Sequence, residues 1–195
     1  YYRIIEDYNI KRVKKILYHG KETLLFYSKL VNNDSKFIKV DQPVDTSKFN
    51  LSNINRENKQ IICIARFTKQ KALNKLILSA KDLNEFNFLI VGSGELEQEL
   101  KKIAPSNVKF LGFLSPNEYI PLLQKSRFII LTSEFEGLPY AILEGMSCGT
   151  IPITTAVGDL PSVIKDGENG FLMNDNKVDT IIKTITLASQ NKNLN

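Results

Sequence analysis

The chain has 195 residues, room for one α/β domain and for two only if both are small. Hydrophobic residues make up 43% and charged residues 24%, ordinary values for a chain that buries a core. The net charge of +5 suits an anionic ligand, but the 26 Lys+Arg are scattered rather than gathered into the basic stripe of a nucleic-acid binder.

Residues 1–40 read as a helix, one strand (KKILY) and a second helix. One βα unit cannot build its own core, so this segment is expected to be the tail of an N-terminal domain. His19, the only histidine, follows KKILY and precedes Gly20, where a turn is the simpler reading than a catalytic role. Residues 41–57, beginning DQPVDTSKFN, are polar and turn-rich and read as a linker. From residue 58 short apolar runs alternate with amphipathic stretches. In order they are IICIAR (61–66), a helix over 73–83, FNFLIVG (86–92), a helix over 95–103, VKFLG (108–112), and a helix opened by Ser115-Pro116-Asn117-Glu118 and closing at Lys125. RFIILTS (127–133), a helix from Pro139 to Cys148 ended by Gly149, IPITT (151–155) and a last helix from Val178 follow.

Strands apolar on both faces, alternating with helices of about ten residues, predict a doubly wound, Rossmann-like parallel sheet over 58–195. The last helix has no stop signal, so this domain is expected to be truncated at its C-terminal end. No apolar run approaches the ~18 residues of a membrane-spanning helix, and no signal peptide is read. With Cys63 and Cys148 expected as buried free thiols, a cytoplasmic location follows.

Ligands of such sheets bind beyond the carboxyl ends of the strands, and four features fall there. Arg66, with Lys69 and Lys71 in the next loop, offers a guanidinium fork and ammonium charges suited to a diphosphate, or simply solvated loop cations. Gly92-Ser93-Gly94 follows a buried strand, but Glu97 stands where a dinucleotide fingerprint needs its third glycine, so a tight turn leads over a phosphate loop. SEFEGLPYAILEGMSCG (133–149) is the most informative. Glu136-Gly137-Leu138-Pro139 opens a helix whose free N–H groups can meet a phosphate or sugar oxygen. Glu144 lies on an apolar helix, where a carboxylate needs partners: vicinal sugar hydroxyls, or a cation of the same domain. Val157-Gly158-Asp159-Leu160-Pro161 supplies a further loop at the same edge.

Together and in order these residues resemble the donor-binding domain of the retaining glycosyltransferases with two Rossmann-like domains, the glycosyl transferases group 1 family. The family's two glutamates separated by seven residues fall on Glu136 and Glu144. Its Arg and Lys after the first strand fall on Arg66 and Lys71 in ARFTKQKA. VGSG (91–94), FLG (110–112), GDLPSVI (158–164), DGENG (166–170) and the linker KVDQPVDTSKF (39–49) also match. Ala65 and Ala72 replace two family glycines, and Gln42-Pro43 replaces an Asn-Gly.

The resemblance implies that Arg66 and Lys71 bind the donor diphosphate and that Glu144 holds the ribose. Glu136, Gly137, Leu138 and Pro139 would touch the transferred sugar and phosphates, with Phe113 and Leu114 near the base. It implies a UDP- or GDP-sugar donor and a saccharide or lipid-linked acceptor held by the missing part of an N-terminal domain. The isolated chain would then be inactive, and the longer protein could associate peripherally with a membrane. No cofactor or metal is expected, because no Asp-x-Asp pair ends a strand and Asp175 and Asp179 belong to the last loop and helix. Two rivals remain at this stage. One is a non-catalytic nucleotide-sugar-binding module. The other is a sugar-nucleotide 2-epimerase, which would call for further acidic and histidine residues.

Overall fold

The computed structural model describes residues 9, 10, 12–31, 33–52, 54–191 and 194. The chain divides between Pro43 and Val44 into two compact units.

In the first unit, β1 (Ile16–Tyr18) pairs in parallel with β2 (Phe37–Lys39), Ile16 lying opposite Phe37. Helix α1 (Lys21–Ser28) makes the crossover, and Gly20, in an extended conformation, forms its N-cap. His19 is exposed in the turn between them, its Nδ1 2.8 Å from the Val40 carbonyl oxygen. Most of the helix expected before KKILY falls outside the described residues.

The second unit is built on a six-stranded, wholly parallel sheet. Its strands are β3 (Glu57–Ile64), β4 (Asn87–Val91), β5 (Val108–Gly112), β6 (Ser126–Leu131), β7 (Ile151–Thr155) and β8 (Phe171–Met173), in spatial order β5-β4-β3-β6-β7-β8. The carboxyl-terminal halves of the central strands are apolar because helices cover both faces. Ile61, Ile62 and Cys63 of β3 and Phe128, Ile129 and Ile130 of β6 are fully buried.

The helices are α2 (Leu73–Ser79), α3 (Glu97–Ile103), α4 (Pro116–Lys125), α5 (Tyr140–Ser147), α6 (Leu160–Val163) and α7 (Val178–Gln190). Two of them bury a stripe at helical spacing: Leu73, Leu76 and Ile77 in α2, and Ile181, Ile185 and Ala188 in α7. At the start of α4 the Glu118 carboxylate accepts a hydrogen bond from the Ser115 backbone N–H at 2.7 Å, the reciprocal half of a capping box. The chain travels one way from β3 through α2 and α3 and the other way through α4 and α5. Right-handed crossovers therefore put the two pairs on opposite faces, which makes the domain doubly wound.

Three details depart from the sequence reading. The compact unit starts at Val44 rather than near Asn58, because Phe49 is buried, lies 6.1 Å from the Tyr119 ring, and accepts a hydrogen bond at its carbonyl from the Ser147 hydroxyl. One apolar residue in a polar run has no period to betray it. β8 and α6, with three and four residues, are too short to show periodicity. The helix expected over 73–83 ends at Ser79 and closes with a 3₁₀ turn over Ala80–Asp82.

Candidate functional site

The strand order reverses between β3 and β6, so the crevice outside their carboxyl ends is the topological switch point. The segments leaving these two strands carry Arg66 and Lys71 on one side and Glu136 on the other.

On the β3–β4–β5 side, backbone contacts set the shape. The Ala65 N–H donates to the Val91 carbonyl at 3.0 Å, Phe67 to Ser93 at 2.9 Å and Leu96 to Phe67 at 3.1 Å. This contact requires glycine. A Cβ at Gly92, whose φ is +132°, would lie 1.9 Å from the Ala65 oxygen, and one at Gly94 would lie 2.5 Å from the Phe67 oxygen. Gly92-Ser93-Gly94 is therefore a tight turn that lets two loops touch, and α3 begins three residues later, at Glu97.

Beside this turn opens a groove of about 250 Å³ lined by Arg66, Gly92, Ser93, Phe113, Leu114 and Tyr119. Phe113 is 79% exposed at its rim. Arg66 is exposed, and the described residues give it no ion-pair partner.

On the β6 side, polar side chains brace the loops. The Lys71 ammonium donates to Glu136 Oε1 at 2.5 Å, with only 12% and 7% of the two side chains exposed. The Gln70 side-chain amide donates to the Phe135 carbonyl at 2.8 Å, and the Glu134 N–H returns a bond to the Gln70 carbonyl at 2.8 Å. The Thr132 hydroxyl donates to the Lys71 carbonyl at 3.1 Å. Beyond Glu136, the Gly137 carbonyl accepts from the Asp159 N–H at 3.0 Å, and a Cβ at Gly137 would meet nothing within 4 Å. Leu138 is partly buried against the core. Pro139 is the N-cap of α5 rather than its first helical residue, with an extended ψ of 126°.

Glu144, one and a half turns into α5, is half-buried, and the Tyr119 hydroxyl donates to its Oε2 at 2.9 Å. Burial raises the Glu144 pKa above its ordinary value, and the Tyr119 hydrogen bond opposes this. Tyr119 is shifted upward too, by burial first and then by the carboxylate beside it. The partner supplied by the protein is thus a neutral phenol, not the cation that the sequence left open as the alternative to sugar hydroxyls. Because Tyr119 lines the groove, Glu144 stands behind the same wall that Arg66 and Phe113 flank.

A model of the family described as glycosyl transferases group 1 matches residues 44–195. The chain belongs to this family. An uncharacterized glycosyltransferase of Methanocaldococcus jannaschii is 30% identical over 135 residues, 67% of this chain and 38% of its own length. UDP-Gal:alpha-D-GlcNAc-diphosphoundecaprenol alpha-1,3-galactosyltransferase of Escherichia coli is 26% identical over 216 residues, spanning 100% of this chain and 56% of its own length. The chain therefore spans between about two fifths and somewhat over half of these relatives.

Among solved structures, Anabaena HepE in complex with UDP and glucose superposes with a TM-score of 0.85 at 16% identity, covering 96% of this chain and 57% of that one. The C-terminal domain of a glycosyl transferase group 1 protein (LpcC) from Francisella tularensis gives 0.66 at 23%, covering 78% and 90%. These two likenesses establish a shared fold, the Rossmann-like half of GT-B glycosyltransferases.

The structure thus brings Arg66, Phe113 and Leu114 to one groove, and Lys71 and Glu136 into one ion pair at the switch point. Glu144 reaches the groove through Tyr119. The two largest hollows among the described residues, of about 410 and 590 Å³, lie along α3, and neither is lined by Arg66, Lys71, Glu136 or Glu144. Sequence reasoning missed Tyr119, Gln70 and Thr132. All three act on partners brought near by the fold, and only the aromatic ring of Tyr119 in a capped amphipathic helix could have drawn notice.

Cys63 and Cys148 are free and buried, and burial pushes their thiols up to about 12 and about 11. They are unreactive core residues. Among the described residues no three His, Cys, Asp or Glu side chains converge as a metal's ligands would, and no helix is long and apolar enough to cross a membrane.

Proposed function

We propose that this chain is the donor-binding half of a retaining glycosyltransferase. The longer protein would pass a sugar from a nucleoside diphosphate sugar to a saccharide or lipid-linked acceptor held by an N-terminal domain, of which residues 1–43 are the end. The observation that carries this is Arg66, exposed and unpaired among the described residues, at the mouth of a groove at the carboxyl edge of a group 1 family sheet.

The base lies in the groove against Phe113 and Leu114. The Glu144 carboxylate, already holding one hydroxyl at 2.9 Å, accepts from the ribose hydroxyls with its remaining lone pairs. Arg66, Lys71 and the free N–H groups at the start of α5, near Leu138 and Pro139, stabilise the departing diphosphate, so the chemistry proceeds on protein charges without a bound metal. Glu136 faces the transferred sugar. The enzyme works in the cytoplasm, at a membrane surface where its acceptor is lipid-linked.

UDP is the first nucleotide to try, since the Escherichia coli relative is named for UDP-Gal and the Anabaena neighbour holds UDP. Calorimetry of the chain against UDP-, GDP- and ADP-sugars, with the matching nucleosides, tests the reading. One diphosphate series should bind at least about tenfold more tightly than its nucleoside, as contacts to charged groups require. Equal affinity for nucleoside and diphosphate would defeat the assignment. The chain alone should transfer no sugar.

A further inference from the structure

The site holds two cations in opposite states. Arg66 is exposed, and no described residue pairs with it. Lys71 is almost buried and already bonded to Glu136 at 2.5 Å. A carboxylate so placed is costly unless a cation or hydrogen-bond donors satisfy it.

We infer that Glu136 is the resident counter-ion of Lys71, that a bound diphosphate competes with it, and that this competition makes the site prefer a sugar nucleotide to the spent nucleoside diphosphate. The inference rests on the donor reading above.

A diphosphate that reaches Lys71 brings negative charge alongside the Glu136 carboxylate. Either the pair opens and leaves Glu136 without its cation, or it stays closed and the anions repel. Both weaken binding by an amount that Glu136 sets. An ionised carboxylate only accepts hydrogen bonds, and a sugar's hydroxyls can donate them. An intact sugar nucleotide therefore supplies Glu136 with new partners as its diphosphate takes Lys71. Once the sugar has left, the diphosphate still competes for Lys71 but nothing compensates Glu136. The pair then reforms as the nucleotide leaves, so the same contact that admits donor helps expel product. Arg66, with no resident partner to displace, binds both forms without this distinction.

Calorimetry with UDP and UDP-glucose, run beside GDP and GDP-mannose, tests this on the whole chain and on Glu136→Gln, Lys71→Met, their double variant and Arg66→Ala. Glu136→Gln should tighten the nucleoside diphosphate by about tenfold while leaving the sugar nucleotide unchanged or weaker, so that the preference collapses. In the Lys71→Met background the same substitution should change nucleoside diphosphate affinity by less than about threefold, because the competition is gone. Glu136→Asp keeps a charge beside Lys71, covering the case that Glu136→Gln fails to fold, and should shift the preference the same way by a smaller factor.

An unchanged preference in Glu136→Gln, or in Glu136→Asp where the former does not fold, overturns the inference. So does equal tightening with and without Lys71, which would show a general charge effect. If Arg66→Ala weakens both ligands alike but the Glu136 variants leave the preference unchanged, only the exchange fails and the donor reading stands. If the unmodified chain binds none of the four nucleotides, both fail.

Discussion

The two sides of the sheet's carboxyl edge are built by different means. Beyond β3, β4 and β5 the loops are held by main chain on main chain, with Gly92 and Gly94 absent of side chains so that the backbone of 65–67 can lie against them. Beyond β6 the loops are held by side chains: Lys71 on Glu136, Gln70 on Phe135, Thr132 on Lys71. The first construction leaves an open groove and an arginine without an ion-pair partner among the described residues. The second leaves a closed, self-neutralised charge pair. On the proposed reading a base would take the open groove, and a diphosphate would meet one free cation and one that is already satisfied. The contrast predicts that substitutions on the two sides will separate stability from binding differently.

The most damaging change should be Gly92→Ala. Its Cβ would sit 1.9 Å from a carbonyl oxygen at a φ of +132°, where L residues are strained even in open space. Urea denaturation should show a loss of about 4 kcal/mol or more. A loss below about 1 kcal/mol would mean that the two loops need not touch.

Next in size is Lys71→Ala. It strands a carboxylate that is only 7% exposed, so about 3–5 kcal/mol of stability should go, with diphosphate binding weakened as well. Arg66→Ala is its counterpart and should leave urea stability within about 0.5 kcal/mol. Its effect falls on binding, about 1.5–3 kcal/mol for a nucleoside diphosphate and little for the nucleoside. Should both substitutions cost the same stability, the difference drawn here between a free and a committed cation is mistaken.

How legible this was in the sequence follows the same division. The strands and the spacing of Glu136 and Glu144 are local patterns, and the parallel sheet with its switch point follows from them. Arg66 and Lys71 looked equivalent because both are cations after β3. Only the fold, by bringing residue 136 to residue 71, makes one of them half of an ion pair. Gly92 and Gly94 are a further case: the sequence favours a tight turn there, but the reason that turn needs glycine, the backbone of Ala65 and Phe67 a strand away, is visible only in the fold. Ala72, which replaces a family glycine, is the non-glycine residue with positive φ among those described, +48°. The left-handed turn survives the substitution, at a cost of about 1–2 kcal/mol for an L residue.

The smallest effect concerns Glu144, which belongs to both sides, since α5 carries it and Tyr119 of α4 binds it. Its folded pKa is raised above the ordinary 4.5 by burial, with the Tyr119 hydrogen bond opposing. For a carboxyl with a raised pKa the stabilising form is the protonated one. Its contribution is complete below about pH 4.5 and is lost as pH rises through the folded value. Glu144→Gln keeps the shape and cannot ionise, so relative to the unmodified chain it should gain stability between acid and neutral pH. Melts at pH 4 and pH 7 read the sign. Binding should move the other way, because an amide oxygen is a poorer acceptor for ribose hydroxyls than a carboxylate. We expect about 1 kcal/mol lost for a ribonucleoside diphosphate and less for its 2′,3′-dideoxy analogue, which has no hydroxyls to donate. A substitution that costs stability at pH 7, and weakens the ribo and dideoxy ligands alike, would make the Tyr119–Glu144 bond a structural strut and remove Glu144 from the nucleotide site.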